Sequence, residues 1–182
     1  MRCWQERVAA WRLRNGGLIA HATEGVFGLG CHAFDEDACA RVALLKGRSS
    51  KKPFIVVVAQ FAQIAAVADQ TRVDFRAISA SWPGPETWIF PAAIAAPRWL
   101  ISDQRTIAVR VTAHGQFSRL CMAVGPIVST SANLPGHRPA LNVLQARRYF
   151  GHTVDFYLPG KLTSAGRPSR IRDARSGSAI RS

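Results

Sequence analysis

Four cations lie close together in the segment KGRSSKK. Lys46 and Arg48 are followed by Lys51 and Lys52, all within seven residues. The segment falls between a predicted helix and a predicted strand, where α/β proteins commonly place ligands. A loop at such a junction can turn several cations toward one polyanion, although solvated surface charge is the alternative. We favour binding of a phosphate-bearing ligand.

A second polar group follows a short apolar segment in the sequence VSTSAN. Ser129, Thr130, Ser131 and Asn133 are small side chains that donate or accept hydrogen bonds at close range without covering a substrate. A hydroxyl-capped turn is the alternative, because Asn133 precedes Leu-Pro-Gly. Taken alone, this segment favours the turn.

The glycine-rich segment TEGVFGLG is a third candidate. Its three glycines permit a tight loop that exposes backbone groups, although an ordinary turn explains them equally well. No GxxxxGK[ST] pattern is present, so a nucleotide site would be built without a P-loop. His21 and His114 could act as acids or bases, yet a lone histidine is more often structural. Glu24 could bind a metal, anchor a loop or face solvent.

The charge balance indicates a polyanionic partner. Lys and Arg number 24 against 11 Asp and Glu, which gives a formal charge of +13. Most of these cations are arginines, whose planar guanidinium suits bidentate phosphate recognition. A charge that serves only solubility is the alternative. Charge alone does not distinguish ATP from RNA.

The cysteines and the apolar segments indicate a reduced, cytoplasmic protein. Cys3, Cys31, Cys39 and Cys121 form no CxxC pair and lack the spacing of a zinc site. Charges interrupt the apolar positions of the first residues, which excludes a signal or transit sequence there. The longest aliphatic run, 55–59, is too short to span a bilayer, so we expect no membrane association.

Helical and strand patterns alternate along the chain. Trp4, Val8 and Trp11 recur at helical spacing, which predicts an amphipathic first helix that ends at Asn15. Further helices are predicted near 35–46, 61–68, 73–78, 116–124 and 143–150. Strands are predicted near 18–20, 54–59, 88–90, 106–111 and 127–129. This alternation in 182 residues predicts one α/β domain with a mixed sheet.

The last segment, 161–182, is basic. It holds six cationic side chains against one acid, Asp173, with Gly and Ser throughout. This composition predicts a basic, partly mobile loop or tail around a short strand near Ile171.

Seven segments, taken in order, resemble the YrdC/TsaC family of threonylcarbamoyl-AMP synthases: HATEGVFGLG, LKGR, KKPFIVVV, WPGPETWIFP, IAVRVTAH, VSTSANLPG and PSRIRD. The resemblance spans about 17–177 and fits the short, single-domain form over 1–182. It implies a YrdC-like α/β fold, similar to the DHBP synthase-like fold. In that fold a twisted, open mixed sheet with flanking helices presents a positively charged concave face.

The resemblance also implies a nucleotidyltransferase reaction. L-Threonine, bicarbonate and ATP with Mg²⁺ would give L-threonylcarbamoyl-AMP and pyrophosphate, and other proteins would transfer the product to tRNA. It assigns no metal ligand to the protein. Its motifs assign catalysis and substrate binding to seven residues: Lys46, Arg48, Ser131 and Asn133 as catalytic, and Thr23, Arg110 and Ser129 as substrate-binding.

The first motif departs from the family pattern. His21 and Ala22 stand where an aromatic residue and a proline usually precede Thr-Glu. Loss of the proline frees φ in the loop that aims Thr23, and this puts the affinity for threonine in question.

Two other functions remain open at this point. The first is a non-enzymatic module that holds tRNA or rRNA on the same basic concave face, although phosphate binding alone does not require the STSAN hydroxyls. The second is a carbamoyltransferase that makes a carbamoyl adenylate from carbamoyl phosphate. YrdC-like domains of that kind occur in larger chains, and the absence of zinc-ligand cysteine pairs from this sequence argues against it.

Overall fold

A computed structural model describes residues 3–47, 54–71, 73–164, 166 and 168–181 of the chain. Arg48, which the sequence predicts to be catalytic, lies outside the described residues, as do Lys51 and Lys52. The structure therefore describes the predicted cationic segment only as far as Gly47.

The strands of the described residues form one mixed sheet. They are β1 (Ile19–Ala22), β2 (Phe27–His32), β3 (Ile55–Val58), β4 (Glu86–Pro91), β5 (Thr106–Val111), β6 (Ile127–Ser131), β7 (Phe156–Tyr157), β8 (Arg170–Asp173) and β9 (Ala179–Arg181). Their order across the sheet is β7-β1-β2-β6-β3-β5-β4-β8-β9. The β1/β7, β3/β5 and β4/β8 pairs are parallel and the others antiparallel. The mixed sheet predicted from the sequence is confirmed.

Helices flank both faces of this sheet. The α-helices are α1 (Trp4–Arg14), α2 (Glu36–Leu45), α3 (Phe75–Ser79), α4 (Gly115–Val124) and α5 (Val143–Phe150). Short 3-10 segments lie at Phe61–Ala66, Arg98–Leu100 and Gly151–Thr153. The predicted helix at 61–68 is thus a 3-10 segment, and α3 is shorter than the pattern at 73–78 suggested.

Two hydrophobic cores lie on opposite faces of the sheet. On one face α2, α3 and α5 pack against the strands, and Val56 and Val58 of β3 belong to this core. On the other, which we call the α1/α4 face, α1 and α4 pack against a core that includes Val57. β3 is therefore buried on both sides, as its unbroken β-branched run predicts. Both helices of the α1/α4 face pack near β1, and the cavity described below lies on the same face.

The segment TEGVFGLG is only partly the loop that its glycines predict. The loop covers 23–26, whereas Phe27–His32 is β2, a strand between β1 and β6. A Cβ on Gly30 would lie 2.5 Å from the carbonyl oxygen of Val128, and one on Gly28 would lie 2.8 Å from Ser129 Oγ. These glycines allow close approach of neighbouring groups within the sheet, so the prediction of a loop over the whole segment is wrong.

Helix α1 is confirmed, but its two tryptophans do not lie on its buried face. Trp4 and Trp11 are 69% and 55% exposed, whereas Ala9, Ala10 and Leu13 are buried. These buried side chains, two of them small, belong to the same core as residues of α4. The helix was therefore predicted correctly and its orientation was not.

The C-terminal segment adds two strands to the sheet. The strand predicted near Ile171 is β8, which pairs with β4, and β9 then pairs with β8. Glu86 of β4 forms ion pairs with both Arg170 and Arg172. Charge pairing as well as backbone hydrogen bonds thus joins this hairpin to the rest of the sheet.

Candidate functional site

A cavity of about 610 Å³ opens on the α1/α4 face of the sheet. Its walls come from the loop after β1, from β2, β3, β4, β5 and β6, and from the β8–β9 hairpin. Four of the seven residues that the motifs assign line it: Thr23, Arg110, Ser129 and Ser131. Segments far apart in the sequence therefore meet at one site.

The charged centre of the cavity is Arg110, paired with Glu24. Arg110 Nη2 lies 3.6 Å from Glu24 Oε2, and both side chains are almost fully buried. Thr112 Oγ1 and the backbone N of Ala113 donate to Glu24 Oε1 at 2.8 Å and 2.9 Å. Burial raises the pKa of Glu24, but the charge of Arg110 and these hydrogen bonds outweigh it and leave the pKa below its ordinary value. Glu24 is therefore ionised at neutral pH and fixes the guanidinium.

Arg110 lines the cavity, and its guanidinium is not fully hydrogen-bonded. Its Nε is buried and has no hydrogen-bond partner among the described residues. A buried donor without a partner is costly unless a ligand or water satisfies it. The position thus suits an anionic group, such as a carboxylate, that accepts from a guanidinium.

Glu24 also anchors loops, because its carboxylate holds the segment after β5 and its backbone holds a segment of the C-terminal part. Its carbonyl oxygen accepts from the backbone N of Thr163 and Ser164 and from the hydroxyl of Ser164. Next to it, Thr23 Oγ1 donates to the carbonyl oxygen of Val26 at 2.6 Å. This bond closes the turn after β1 and leaves the oxygen of Thr23 able to accept from a ligand.

His21 lies behind Ser129, beside the cavity. Its ring stacks on Phe117 with centroids 3.9 Å apart. Nδ1 lies 3.1 Å from the carbonyl oxygen of Ala22 and Nε2 lies 3.4 Å from Ser129 Oγ. Because a carbonyl only accepts, Nδ1 carries the proton and Nε2 accepts from the Ser129 hydroxyl. Burial lowers the pKa of His21 to about 3, so the ring is neutral at pH 7 and orients this hydroxyl.

Lys46, Ser131 and Asn133 form a connected network at the edge of the cavity. Lys46 Nζ donates to the carbonyl oxygens of Ser131 and Asn133 at 2.8 Å and 2.5 Å, and to Asn133 Oδ1 at 2.8 Å. Ser131 Oγ also donates to Asn133 Oδ1, at 2.7 Å. The amide nitrogen of Asn133 donates to the carbonyl oxygens of Leu134 and His137. The lysine therefore holds the loop after β6 in shape.

His114 has a structural position. Its Nδ1 accepts from the backbone N of Phe117 and so caps α4. Its Nε2 lies 2.9 Å from the carbonyl oxygen of Lys161, to which it donates in that tautomer. Both ring nitrogens are thus engaged with backbone groups, in agreement with the structural role that a lone histidine usually has.

The site also contains residues that the sequence analysis missed. Ser169 and Arg181 of the C-terminal segment line the cavity, and Arg181 Nη2 donates to the carbonyl oxygen of Ser169 at 2.6 Å. Burial and the charge of Arg110 lower the pKa of Arg181. Two guanidinium groups therefore bring positive charge to the same cavity. Ser169 belongs to the motif PSRIRD, whereas the only sequence signal for Arg181 was the excess of cations in 161–182, which was interpreted as a loop or tail.

The described residues contain neither a membrane-spanning helix nor a cluster of metal-ligating side chains. None of the helices is long and apolar enough to cross a membrane. No group of three or more His, Cys, Asp and Glu side chains in that part of the chain could hold a metal ion.

Comparisons with known sequences gave a family and close relatives. A family model for Sua5, YciO and YrdC proteins, described as telomere recombination, matches residues 12–182. Threonylcarbamoyl-AMP synthase of Halorhodospira halophila is 46% identical over 182 residues, covering 99% of this chain and 95% of the relative. The protein of that name from Nitrosococcus oceani is 45% identical, covering 98% and 97%.

Solved structures share the fold. Sua5 of P. abyssi complexed with L-threonine matches with a TM-score of 0.88 at 30% identity, covering 98% of this chain. The chain spans about half of that protein, 54% of its length. YciO of E. coli matches with a TM-score of 0.85 at 23% identity, covering 99% of this chain and 89% of YciO, and supports the fold alone. These matches confirm the predicted α/β fold with a twisted open sheet.

Proposed function

The chain belongs to the Sua5, YciO and YrdC family, and we propose that it is a threonylcarbamoyl-AMP synthase. It joins L-threonine, bicarbonate and ATP into L-threonylcarbamoyl-AMP and pyrophosphate. Curated relatives of that name match it over nearly their whole length. Within the structure, the observation that carries the proposal is the buried Arg110 guanidinium, which lines the cavity, pairs with Glu24 and has no hydrogen-bond partner for its Nε among the described residues.

We assign the threonine subsite to the centre of the cavity. The carboxylate of threonine accepts a charge-assisted hydrogen bond from the guanidinium of Arg110, which lines the cavity. The oxygens of Thr23 and Ser129 accept from the amine and hydroxyl of the substrate, because the proton of each hydroxyl is engaged with a protein acceptor.

We assign the nucleotide to the neighbouring walls. Arg181 on one side and the loop ordered by Lys46 on the other flank the phosphates, while Mg²⁺ enters bound to ATP as part of that substrate. Arg48 is assigned to phosphate binding from its motif alone, because it lies outside the described residues. Cations at these positions offset the repulsion between a carboxylate, a carbamate and a triphosphate.

The reaction needs positioning more than a protein nucleophile. The amine of threonine adds to CO₂ from bicarbonate and loses a proton, giving an N-carboxylate. An oxygen of this carbamate attacks the α-phosphorus of ATP while the bond to the β-phosphate oxygen breaks, and pyrophosphate leaves. Holding the reacting atoms in line and neutralising their charge supply the rate enhancement. Other proteins then transfer the threonylcarbamoyl group to tRNA.

The test is an amino-acid screen with the purified protein. Incubation with ATP, Mg²⁺ and bicarbonate should release pyrophosphate only when threonine is present. Mass spectrometry should find an adenylate that becomes heavier with carbon-13 bicarbonate. Pyrophosphate release that needs no threonine, or that prefers carbamoyl phosphate, would contradict the proposal.

His21 gives a prediction about threonine affinity. His21→Phe keeps the stacking on Phe117 but removes the acceptor that orients the Ser129 hydroxyl. Because one hydrogen bond between neutral groups contributes about 0.5–1.5 kcal/mol, we expect KM for threonine to increase about two- to tenfold, with little change in kcat. Steady-state pyrophosphate release measures both, and KM for ATP is the internal control. An unchanged KM for threonine would show that the ring only fills space.

A further inference from the structure

Helix α1 exposes a face on which tryptophans and arginines alternate. Trp4, Arg7, Trp11 and Arg14 follow one another at i, i+3, i+7 and i+10, which places them along one side of the helix. All four are exposed. We call these four residues the Trp-Arg face. Large aromatic side chains with this exposure do not contribute to the core and suit a partner.

The charge of this face has one sign. The acid of α1, Glu6, is buried on the opposite side, where its carboxylate accepts from Arg119 at 2.5 Å and 3.0 Å. A further cation, Arg12, lies with its guanidinium carbon 5.1 Å from the centroid of the Trp11 ring. The face therefore combines indole rings with positive charge and is complementary to an anion that also has flat apolar surfaces.

The Trp-Arg face borders a shallow groove. The groove has a volume of about 480 Å³ and is bounded by the Trp-Arg face together with Val8 and Ala10. At 1.5 Å rise per residue, the two tryptophans are about 10 Å apart along the helix axis, roughly the length of a few nucleotides. Arg14 Nη2 donates to the carbonyl oxygen of Ala123, which fixes the end of the helix on α4.

We propose that the Trp-Arg face binds single-stranded RNA. Bases stack on Trp4 and Trp11, and the phosphates between them contact Arg7 and Arg14. Stacking on aromatic rings beside a cationic track is how proteins hold single strands without reading their sequence. An acidic peptide would match the positive charge, whereas RNA supplies both phosphates for the arginines and flat bases for the indole rings.

This site is separate from the proposed catalytic cavity. None of the residues of the Trp-Arg face lines that cavity, although α1 packs on the same face of the sheet. RNA held here would lie on the side of the sheet at which the nucleotide chemistry is proposed. The binding itself does not depend on the proposed reaction.

The test measures binding of a fluorescein-labelled single-stranded oligouridylate by anisotropy. Trp4→Ala with Trp11→Ala should weaken binding about tenfold or more, while the dependence on salt stays unchanged. Trp4→Phe with Trp11→Phe should restore much of the affinity, because phenyl rings also stack. Arg7→Gln should lower the slope of log K against log salt by about 0.7.

Matched controls separate this effect from general surface changes. Ile94→Ala with Leu144→Ala removes exposed apolar side chains elsewhere, and Arg76→Gln removes an exposed cation of α3. Both controls should bind the oligouridylate as the wild type does, and saturating ATP with Mg²⁺ should not displace it.

Three outcomes would overturn the RNA proposal. They are wild-type affinity in the double alanine variant, full displacement of the RNA by ATP with Mg²⁺, and equally tight binding of a polyglutamate peptide, which would indicate an acidic protein partner instead. Threonine-dependent pyrophosphate release by the same variants should stay at the wild-type rate. The failure of one proposal is therefore distinguishable from the failure of the other.

Discussion

Replacing Arg110 by Ala should reduce threonine-dependent pyrophosphate release by about 100-fold to 1000-fold, the range found when one preorganised donor to a developing or bound anion is removed. Arg110 is the buried cation in the cavity that Glu24 fixes, and its Nε has no hydrogen-bond partner among the described residues. Without it, the proposed threonine carboxylate would have to leave water for a site that still contains the charge of Glu24. Steady-state release of pyrophosphate at saturating ATP measures the loss.

The same substitution should also destabilise the fold, so the control must separate the two effects. Removing one partner of a buried ion pair costs about 3–5 kcal/mol, because the other charge is left uncompensated. Arg110→Met combined with Glu24→Gln removes both charges, and Gln can still accept from Thr112 and Ala113. We expect thermal unfolding of this double variant to be much closer to that of the wild type than unfolding of Arg110→Ala.

Activity distinguishes the two roles in that double variant. If Arg110 binds substrate, the double variant stays inactive although its stability recovers. Activity that returns together with stability would contradict the assignment and leave Arg110 a purely structural partner of Glu24. Arg110→Lys adds a second comparison, because it keeps the charge but loses the planar fork of donors.

Regular elements with strong periodicity were predictable from the sequence. The predicted bounds of β5 and α5 match the structure, and β3 was recognised from its β-branched run. The short strands β7 and β9 were missed, because two or three residues carry no periodicity and such strands are held by their neighbours in the sheet. Sequence patterns therefore predicted the helices and strands that have a clear periodicity of their own, and missed those that depend on neighbouring strands.

Contacts between distant segments account for the errors. The indoles of Trp4 and Trp11 are the largest apolar groups of α1, yet the helix packs through Ala9 and Ala10. Glu6 pairs with Arg119, 113 residues away, and no local pattern indicates that pairing. The face of a helix that is buried depends on the elements that pack against it, and the spacing of apolar residues within the helix does not identify those elements.

The site residues that lie in sequence motifs were predictable, whereas site residues outside the motifs were missed. Thr23, Arg110, Ser129 and Ser131 do share one cavity, whereas Arg181 was missed because the β8–β9 hairpin returns beside β4 only through long-range pairing. Lys46 was predicted to neutralise phosphate charge, but its contacts also make it the support of the loop after β6.

Replacing Lys46 by Ala should reduce pyrophosphate release by orders of magnitude. The substitution removes one cation and deprives three oxygens, two on Asn133 and one on Ser131, of their common donor. These acceptors are part-buried, and an acceptor left without a donor costs up to about 1–3 kcal/mol, so we expect the loop after β6 to change shape as well. Pyrophosphate release with threonine and bicarbonate present measures the activity, and near-normal release would exclude a catalytic role for Lys46.

Lys46→Arg then separates charge from geometry. Arginine keeps the positive charge, but its planar guanidinium cannot direct three donors from one nitrogen to the oxygens of Ser131 and Asn133 as the ammonium does. If the lysine acts mainly by ordering the loop, this variant should be nearly as inactive as Lys46→Ala. Asn133→Ala should then give a similar loss, because it removes the side-chain oxygen on which Lys46 and Ser131 converge. Full activity of Lys46→Arg would instead show that charge alone is needed, and that the hydrogen bonds to the loop are a consequence of where the lysine must lie.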